Sequence, residues 1–171
     1  SVKFSKNTSA GLSSDVINSW SASWGDYDND GYDDLFVPGK GVAEPNKLYH
    51  NNQDGTFTSV NMAPVTTALG ASVSGAWGDY DNDGDLDLFV CNNENGTNRL
   101  FRNNLGSFVD ATPTELLSEG IYSHSSAWAD YNKDGYLDLV VSDFHATHFN
   151  RLFYGDGQGG FSLESVIGGA G

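Results

Sequence analysis

The sequence predicts an all-β protein made of repeated four-stranded antiparallel blades, and three observations predict it. Nearly the same fourteen letters occur three times: WGDYDNDGYDDLFV from Trp24, WGDYDNDGDLDLFV from Trp77 and WADYNKDGYLDLVV from Trp128. The copies begin 53 residues apart (24 to 77) and 51 apart (77 to 128), which suits one blade of a β-propeller better than a helical repeat. A second shared segment follows each block: NKLYHNNQDGTF from Asn46, NRLFRNNLGSF from Asn98 and NRLFYGDGQGGF from Asn150. The repeat therefore covers the whole unit and not only a loop.

Within the first unit, strand A is expected to include Ala22 to Trp24. The acidic loop follows, and Leu35 to Val37 form strand B, a short apolar run of β-formers without a 3.6-residue stripe. Lys47 to His50 form strand C and Thr56 to Val60 strand D, separated by a tight Asn/Asp/Gly turn. The units run 15–62, 63–113 and 114–171. Phe57 precedes Trp77 by 20 residues, Phe108 precedes Trp128 by 20, and Phe4 precedes Trp24 by 20. Residues 1–14 are thus read as an additional outer strand, SVKFS, and its connection.

Trp24, Trp77 and Trp128 recur just before each acidic loop and are read as packing residues between blades. Leu48, Leu100 and Leu152 are assigned to the core for the same reason, as are Phe57, Phe108 and Phe161. Cys91, the only cysteine, can make no intrachain disulfide and reads as a small buried thiol.

The acidic loops carry the chemistry. In the first, side-chain oxygens fall at Asp26, Asp28, Asp30 and Asp34, with Gly31 allowing a sharp turn and Tyr32 offering its carbonyl. The second repeats this with Asp79, Asp81, Asp83, the Asp85 carbonyl and Asp87. The third has Asp130, Asn132, Asp134, the Tyr136 carbonyl and Asp138. Carboxylates so dense repel one another unless a cation sits among them, and an oxygen-only shell selects a hard ion. Three Ca²⁺ sites, one per blade, are expected. Magnesium would want stricter octahedral geometry, and zinc would want the His or Cys that these loops lack. An EF-hand opens in the same way but requires Glu at its twelfth position, where Val37, Val90 and Val141 stand here.

The D-x-D-x-D-G-x-x-D loops, their apolar exits and the N-R-L-[YF]-x-N-N-x-G-x-F tails resemble FG-GAP, or VCBS-type, repeats, the blades of integrin α-chain heads and of many secreted bacterial proteins. Asn132 is the clearest departure from that pattern. The resemblance implies a β-propeller with calcium in the loop between the first two strands of each blade. Closed propellers usually have four to eight blades. Three blades are therefore expected either to belong to a larger ring or to associate with copies of themselves, a dimer of six blades being favoured, with strand exchange through SVKFS.

Composition narrows the function. A net charge of -15 and a pI near 4.2 argue against a nucleic-acid partner. No apolar run approaches membrane-span length, so no membrane insertion is expected. The first ten residues are polar, without the apolar core of a signal segment. Loops with several carboxylates suit millimolar extracellular calcium, which predicts secretion or surface display. Two glycosylation sequons begin at Asn7 and Asn95.

A calcium-stabilised recognition module for a glycan or protein is expected, with ligand residues where the repeat breaks. The B-to-C connections vary most, and the positions aligned with Trp20 are Val73 and His124. Trp20, Asn93, His124, Phe144, His145 and His148 are the candidates. The alternatives are a self-associating structural array and a portion of a propeller polysaccharide lyase. No G-x-S-x-G or H-E-x-x-H motif occurs, the chain is expected not to be an enzyme, and Asp143 with His145 is the one catalytic pair worth testing.

Overall fold

The structure, a computed structural model, describes residues 11–12, 17–93, 96–117, 122–144 and 149–167. Twelve strands are found there: β1 (Ser23–Gly25), β2 (Asp34–Val37), β3 (Lys47–Asn51), β4 (Phe57–Val60), β5 (Ala71–Gly78), β6 (Asp87–Asn93), β7 (Arg99–Asn104), β8 (Ser107–Asp110), β9 (Ser123–Ala129), β10 (Asp138–Asp143), β11 (Asn150–Gly155) and β12 (Phe161–Ile167). A 3₁₀ turn, Thr114–Leu116, precedes β9. The strands form three four-stranded antiparallel meanders, β1-β2-β3-β4, β5-β6-β7-β8 and β9-β10-β11-β12. The fold is all-β, as expected. The expected first-unit strands fall within a residue or two of the observed ones, because Asx and Gly turns fix where each strand can end.

The register is the same in all three sheets. Trp24 pairs with Leu35, Trp77 with Leu88 and Trp128 with Leu139. Leu35 then faces Tyr49, Leu88 faces Phe101 and Leu139 faces Phe153. Side chains alternate across a strand, so a shared register puts equivalent residues on equivalent faces of every sheet.

The core lies between sheets. Tyr27, Phe36, Leu48, Val65, Leu88, Val90, Phe101 and Phe108 fill the first joint, with Trp77 against them. Tyr80, Phe89, Cys91, Leu100, Leu116, Leu139, Val141, Phe153 and Phe161 fill the second, with Trp128. Burying one such aromatic contributes about 1.5–3 kcal/mol. Cys91 is fully buried; burial raises its thiol pKa, against hydrogen bonds with Ser126 and Ser74 that lower it.

Three packing expectations need correction. Trp77 and Trp128 do pack between sheets, but Trp24 is 57% exposed, and its ring contact among the described residues is with Phe57, 5.8 Å away. Phe57 is only half-buried, unlike Phe108 and Phe161. Both sit on a face of the first sheet that none of the described sheets covers. Leu152 is likewise half-buried, in the third sheet, while Leu48 and Leu100 are fully enclosed. Phe4 and the SVKFS strand lie outside the described residues.

Candidate metal centres and an aromatic row

Each acidic loop closes on its first aspartate. Asp26 accepts from Asp30 N at 3.1 Å and Gly31 N at 2.8 Å; Asp79 accepts from Asp83 N and Gly84 N at 3.0 and 3.1 Å; Asp130 accepts from Asp134 N and Gly135 N, both at 3.1 Å. The fifth position in turn accepts from the seventh: Asp30 from Tyr32 N, Asp83 from Asp85 N, and Asp134 from Tyr136 N. The turn requires left-handed backbone at two places. Asn29, Asn82 and Lys133 have φ of 58°, 58° and 63°, and Gly31, Gly84 and Gly135 have φ of 88°, 95° and 93°. At the second place the glycine is needed for backbone conformation and not for space, since a Cβ there would touch nothing.

The ninth position is different. Asp34, Asp87 and Asp138 are buried, and each turns one oxygen to a backbone donor of its loop and the other to a backbone donor of the third strand, Asp138 also accepting a longer bond from Asn132 N. Asp34 accepts from Tyr27 N (3.2 Å) and Asn51 N (2.8 Å), Asp87 from Tyr80 N (3.1 Å) and Asn103 N (2.8 Å), and Asp138 from Tyr131 N (2.9 Å) and Gly155 N (3.2 Å). This carboxylate ties the loop to the third strand of its own sheet.

The residues fit a bound cation. One oxygen each from Asp26, Asp28 and Asp30, and from Asp79, Asp81 and Asp87, lies within 4.8 Å of the others in its group. Oδ1 of Asp28 and Oδ1 of Asp81 are buried with no hydrogen-bond partner. An orphaned carboxylate oxygen facing other carboxylates is unfavourable without a positive charge beside it. The third loop is built otherwise: Asn132 Nδ2 donates to Asp134 Oδ2 at 2.7 Å, so a neutral amide replaces the orphaned oxygen. The backbone carbonyls expected at Tyr32, Asp85 and Tyr136 follow in the seventh position of each loop. The side chain of Asp85 is engaged elsewhere, accepting from Asn29 Nδ2 at 2.6 Å and Leu105 N at 2.8 Å.

Two contributors are not evident from the loops alone. His50, from β3, brings Nδ1 to 3.2 Å from Asp28 Oδ2 and 3.4 Å from Asp34 Oδ1, and forms a third candidate group with them. The first loop contains no histidine, but its sheet delivers one. Asn46, Asn98 and Asn150 open the repeated tails, and each accepts from the B-to-C connection: from Gly39 N, Asn92 N and Asp143 N at 3.0, 2.9 and 3.0 Å. Their recurrence at the head of every tail was the signal for this role.

Burial pushes the Asp87 carboxyl up to about 7, against the hydrogen bonds from Asn103 N and Tyr80 N that lower it. Burial likewise raises Asp34 and Asp81, and it pushes the Tyr27 and Tyr80 hydroxyls to about 12, with neighbouring carboxylates adding to the effect. A carboxyl with a raised folded pKa carries a proton that the unfolded chain has lost above about pH 4. The folded state then binds more protons between about pH 4 and 7, and stability falls as pH rises through that window. Asp54, lowered by its hydrogen bond from the Thr56 hydroxyl, acts only below it. Cation-stripped protein is expected to melt at a higher temperature at pH 5 than at pH 7.5. Cation loading should shrink or invert that difference; equal melting of stripped protein at both pH values would refute it.

The recognition candidates separate. Trp20 stacks on His124 at 6.1 Å and 29°, and His124 meets Phe144 at 5.7 Å. Lys40 Nζ lies 4.5 Å over the Trp20 ring, within cation–π range. Trp20 precedes the first sheet while His124 and Phe144 belong to the third, so the row forms because the sheets bring their inner-strand ends together. Trp20 is 49% and Phe144 76% exposed, and His124 is also exposed. An open hollow of about 500 Å³, lined by Asn18, Lys40, Gly41, Val42 and Glu44, adjoins the row through Lys40. Asn93 does not join it, being buried at the end of β6. His145 and His148 lie outside the described residues, as do Asn7 and Asn95 of the sequons. The Asp143–His145 pair is therefore seen only through Asp143, whose Oδ2 accepts from Tyr122 N at 3.3 Å. Among the described residues no helix is long and apolar enough to cross a membrane.

Comparison with known proteins agrees with this layout. The model of the FG-GAP-like repeat matches residues 40–90 and 79–141, together more than half of the chain. Cartilage acidic protein 1 of Xenopus tropicalis is 41% identical over 70 residues, and that of Homo sapiens 39% identical over 69. Each alignment covers 39% of this chain, and the chain spans about 10% of the length of these relatives. With three in-register acidic loops, three equivalent meanders and this match, the chain belongs to the FG-GAP-like repeat family.

Proposed function

We propose that the chain is a calcium-stabilised recognition module, acting outside the cell or on its surface, that binds a glycan or protein partner through the Trp20–His124–Phe144 row. The exposed row is the observation that carries this reading. Aromatic side chains with their faces open to solvent are costly to leave bare, and they stack well on the apolar face of a sugar ring or on a partner's side chain. Lys40 beside Trp20 adds a donor that could orient a hydroxyl or carboxylate. The row stands where the repeat breaks, as a specific surface on a repetitive scaffold must.

Calcium is the cation that the loops fit best. They offer oxygens almost exclusively, in an irregular arrangement, with orphaned carboxylate oxygens in two of them. His50 near the first loop adds one nitrogen, too few for a zinc site. Bound calcium would supply positive charge that holds the loop carboxylates together. Extracellular placement is supported by family membership, the acidic composition and the weak, millimolar class of calcium affinity that such loops suit.

The test is a glycan array in calcium, followed by titration of any hit against wild type and Trp20→Ala. Trp20→Ala is expected to weaken binding several-fold, up to about tenfold, in line with loss of an aromatic stack worth about 0.5–1.5 kcal/mol. Saturable binding that is indifferent to Trp20, or turnover of the glycan, would overturn the assignment.

A further inference from the structure

The three acidic loops are nearly alike, but the third strand brings a different side chain to each. The repeated tails open NKLYH, NRLFR and NRLFY, so His50, Arg102 and Tyr154 occupy one position. Each follows the aromatic residue that faces the second strand: Tyr49 opposite Leu35, Phe101 opposite Leu88 and Phe153 opposite Leu139. All three bear on the loop of their own sheet, Arg102 acting electrostatically on Asp81, and Tyr154 on Asp134 and Asp138. A guanidinium has no lone pair to give, and a phenol ligates only after losing its proton. His50 alone offers a neutral nitrogen donor.

His50 Nδ1 lies 3.2 Å from Asp28 Oδ2 and 3.4 Å from Asp34 Oδ1, yet this nitrogen is shielded from solvent and makes a hydrogen bond with neither. Ligand atoms on neighbouring positions of an ion with bonds of about 2.1–2.2 Å stand about 3.0–3.5 Å apart. The three atoms are therefore spaced as ligands of one ion. Tyr27 holds the imidazole edge-on at 6.4 Å and 78°, and the pairing of His50 with Thr58 anchors its backbone. In the second loop the gathered oxygens come from Asp79, Asp81 and Asp87. In the first, two groups share Asp28: Asp26 with Asp28 and Asp30, and Asp28 with Asp34 and His50. Asp34 is fully buried, whereas the side chains of His50 and Asp28 are partly open to solvent, so water can complete the shell from that side.

We propose that Asp28, Asp34 and His50 bind a first-row divalent ion in a water-completed octahedral shell, such as Mn²⁺, and that this sets the first loop apart from the other two. Two carboxylates, water and a single imidazole suit such an ion, whereas zinc prefers a tetrahedral set richer in nitrogen or sulfur. Calcium prefers oxygen and gains little from the imidazole. Asp28 and Asp34 serve either ion. Calcium fills the first loop when no first-row ion is present, and such an ion displaces it from that loop alone. The inference goes beyond the calcium reading of the second and third loops and does not rest on it.

Mn²⁺ itself is the probe, titrated into the full chain in excess calcium and followed by electron paramagnetic resonance. Wild type is expected to retain a Mn²⁺ site that calcium does not empty, with spin-echo modulation from a directly bound imidazole nitrogen. His50→Ala and the size-preserving His50→Gln should abolish the modulation and weaken Mn²⁺ by at least about tenfold, since even outer-shell partners of a ligand are worth that much. Both variants should keep the wild-type melting temperature in calcium, and His124→Ala should keep the modulation. Wild type without nitrogen modulation, or modulation that survives loss of His50, would overturn the site. So would Mn²⁺ that calcium displaces as readily from wild type as from His50→Gln. None of these outcomes would touch calcium binding at the other loops, which calcium-dependent melting reads separately.

Discussion

Stripping divalent cation is expected to lower the melting temperature by on the order of 5–10 °C for each site that had been filled. A ligand that binds only the folded state adds RT ln(1 + [L]/Kd), about 2.7 kcal/mol at a hundredfold excess over Kd. In a domain of this size 1 kcal/mol moves the melting point by about 2–4 °C. Part of that binding free energy is relief of repulsion: without the cation the carboxylates of Asp26, Asp28 and Asp30 stay within 4.8 Å of one another, at roughly 1–3 kcal/mol per pair for effective dielectrics between water and ~20, a term already contained in Kd. The two loops with an orphaned oxygen should dominate, and the Asn132 loop should contribute least. Calorimetry in chelator, then with calcium or magnesium restored, checks this. Calcium should recover the full melting temperature and magnesium only part; a melting curve that EDTA does not move would remove the metal assignment.

Phe89→Ala is expected to be the most damaging of the core truncations, at about 3–5 kcal/mol. Phe89 is fully buried in the second joint and meets Trp128 edge-to-face at 6.2 Å. Its removal opens a cavity under an indole that is also fixed by the bond to Ala76 O, so the joint cannot collapse to fill it. Trp24→Ala removes a larger side chain of the same repeat and should cost less than about 1 kcal/mol, because that ring is more than half exposed. Denaturant unfolding of the two variants side by side measures the difference. Equal losses would mean that Trp24 is buried in solution by something that the first sheet's exposed face does not reveal.

The fold was legible because the repeat is nearly literal. Three in-register copies of an Asx/Gly turn between β-forming runs leave little freedom for anything but meanders, and the expected strands match the observed ones to within a residue or two. The acidic loops were legible for the same reason, since alternate side chains on a tight turn converge whatever surrounds them. What the sequence could not convey is where the array presents an uncovered face. Trp24 reads like Trp77 and Trp128, and only the stacking of sheets distinguishes an indole over a neighbour's glycine, as Trp77 lies over Gly25, from one over open solvent. The ninth-position aspartates read as ligands equal to the rest, yet each proves to bind at least two backbone N–H groups, one from a strand some 17 residues away. The approach of His50 to the first loop depends on the pairing of β2 with β3, which no local pattern encodes. Trp20 and His124 read separately as breaks in the repeat. Their stacking joins residues 104 positions apart (20 to 124), a contact that no local pattern encodes.

Among the described residues, every ladder of backbone hydrogen bonds closes within one meander of neighbouring strands. Across the joints run mainly side chains and a few isolated bonds, such as Ser72 N to Gly39 O, Asn46 Nδ2 to Val65 O and Asn98 Nδ2 to Ser123 Oγ. A whole unit of about fifty residues can therefore be duplicated or deleted without rethreading any strand through its neighbours, provided tryptophan still meets glycine at the new boundary. Gene-level changes in copy number are cheap for such a chain, while a shift of one residue inside a unit is not. The grain along which these proteins lengthen and shorten over evolution is set by the joints.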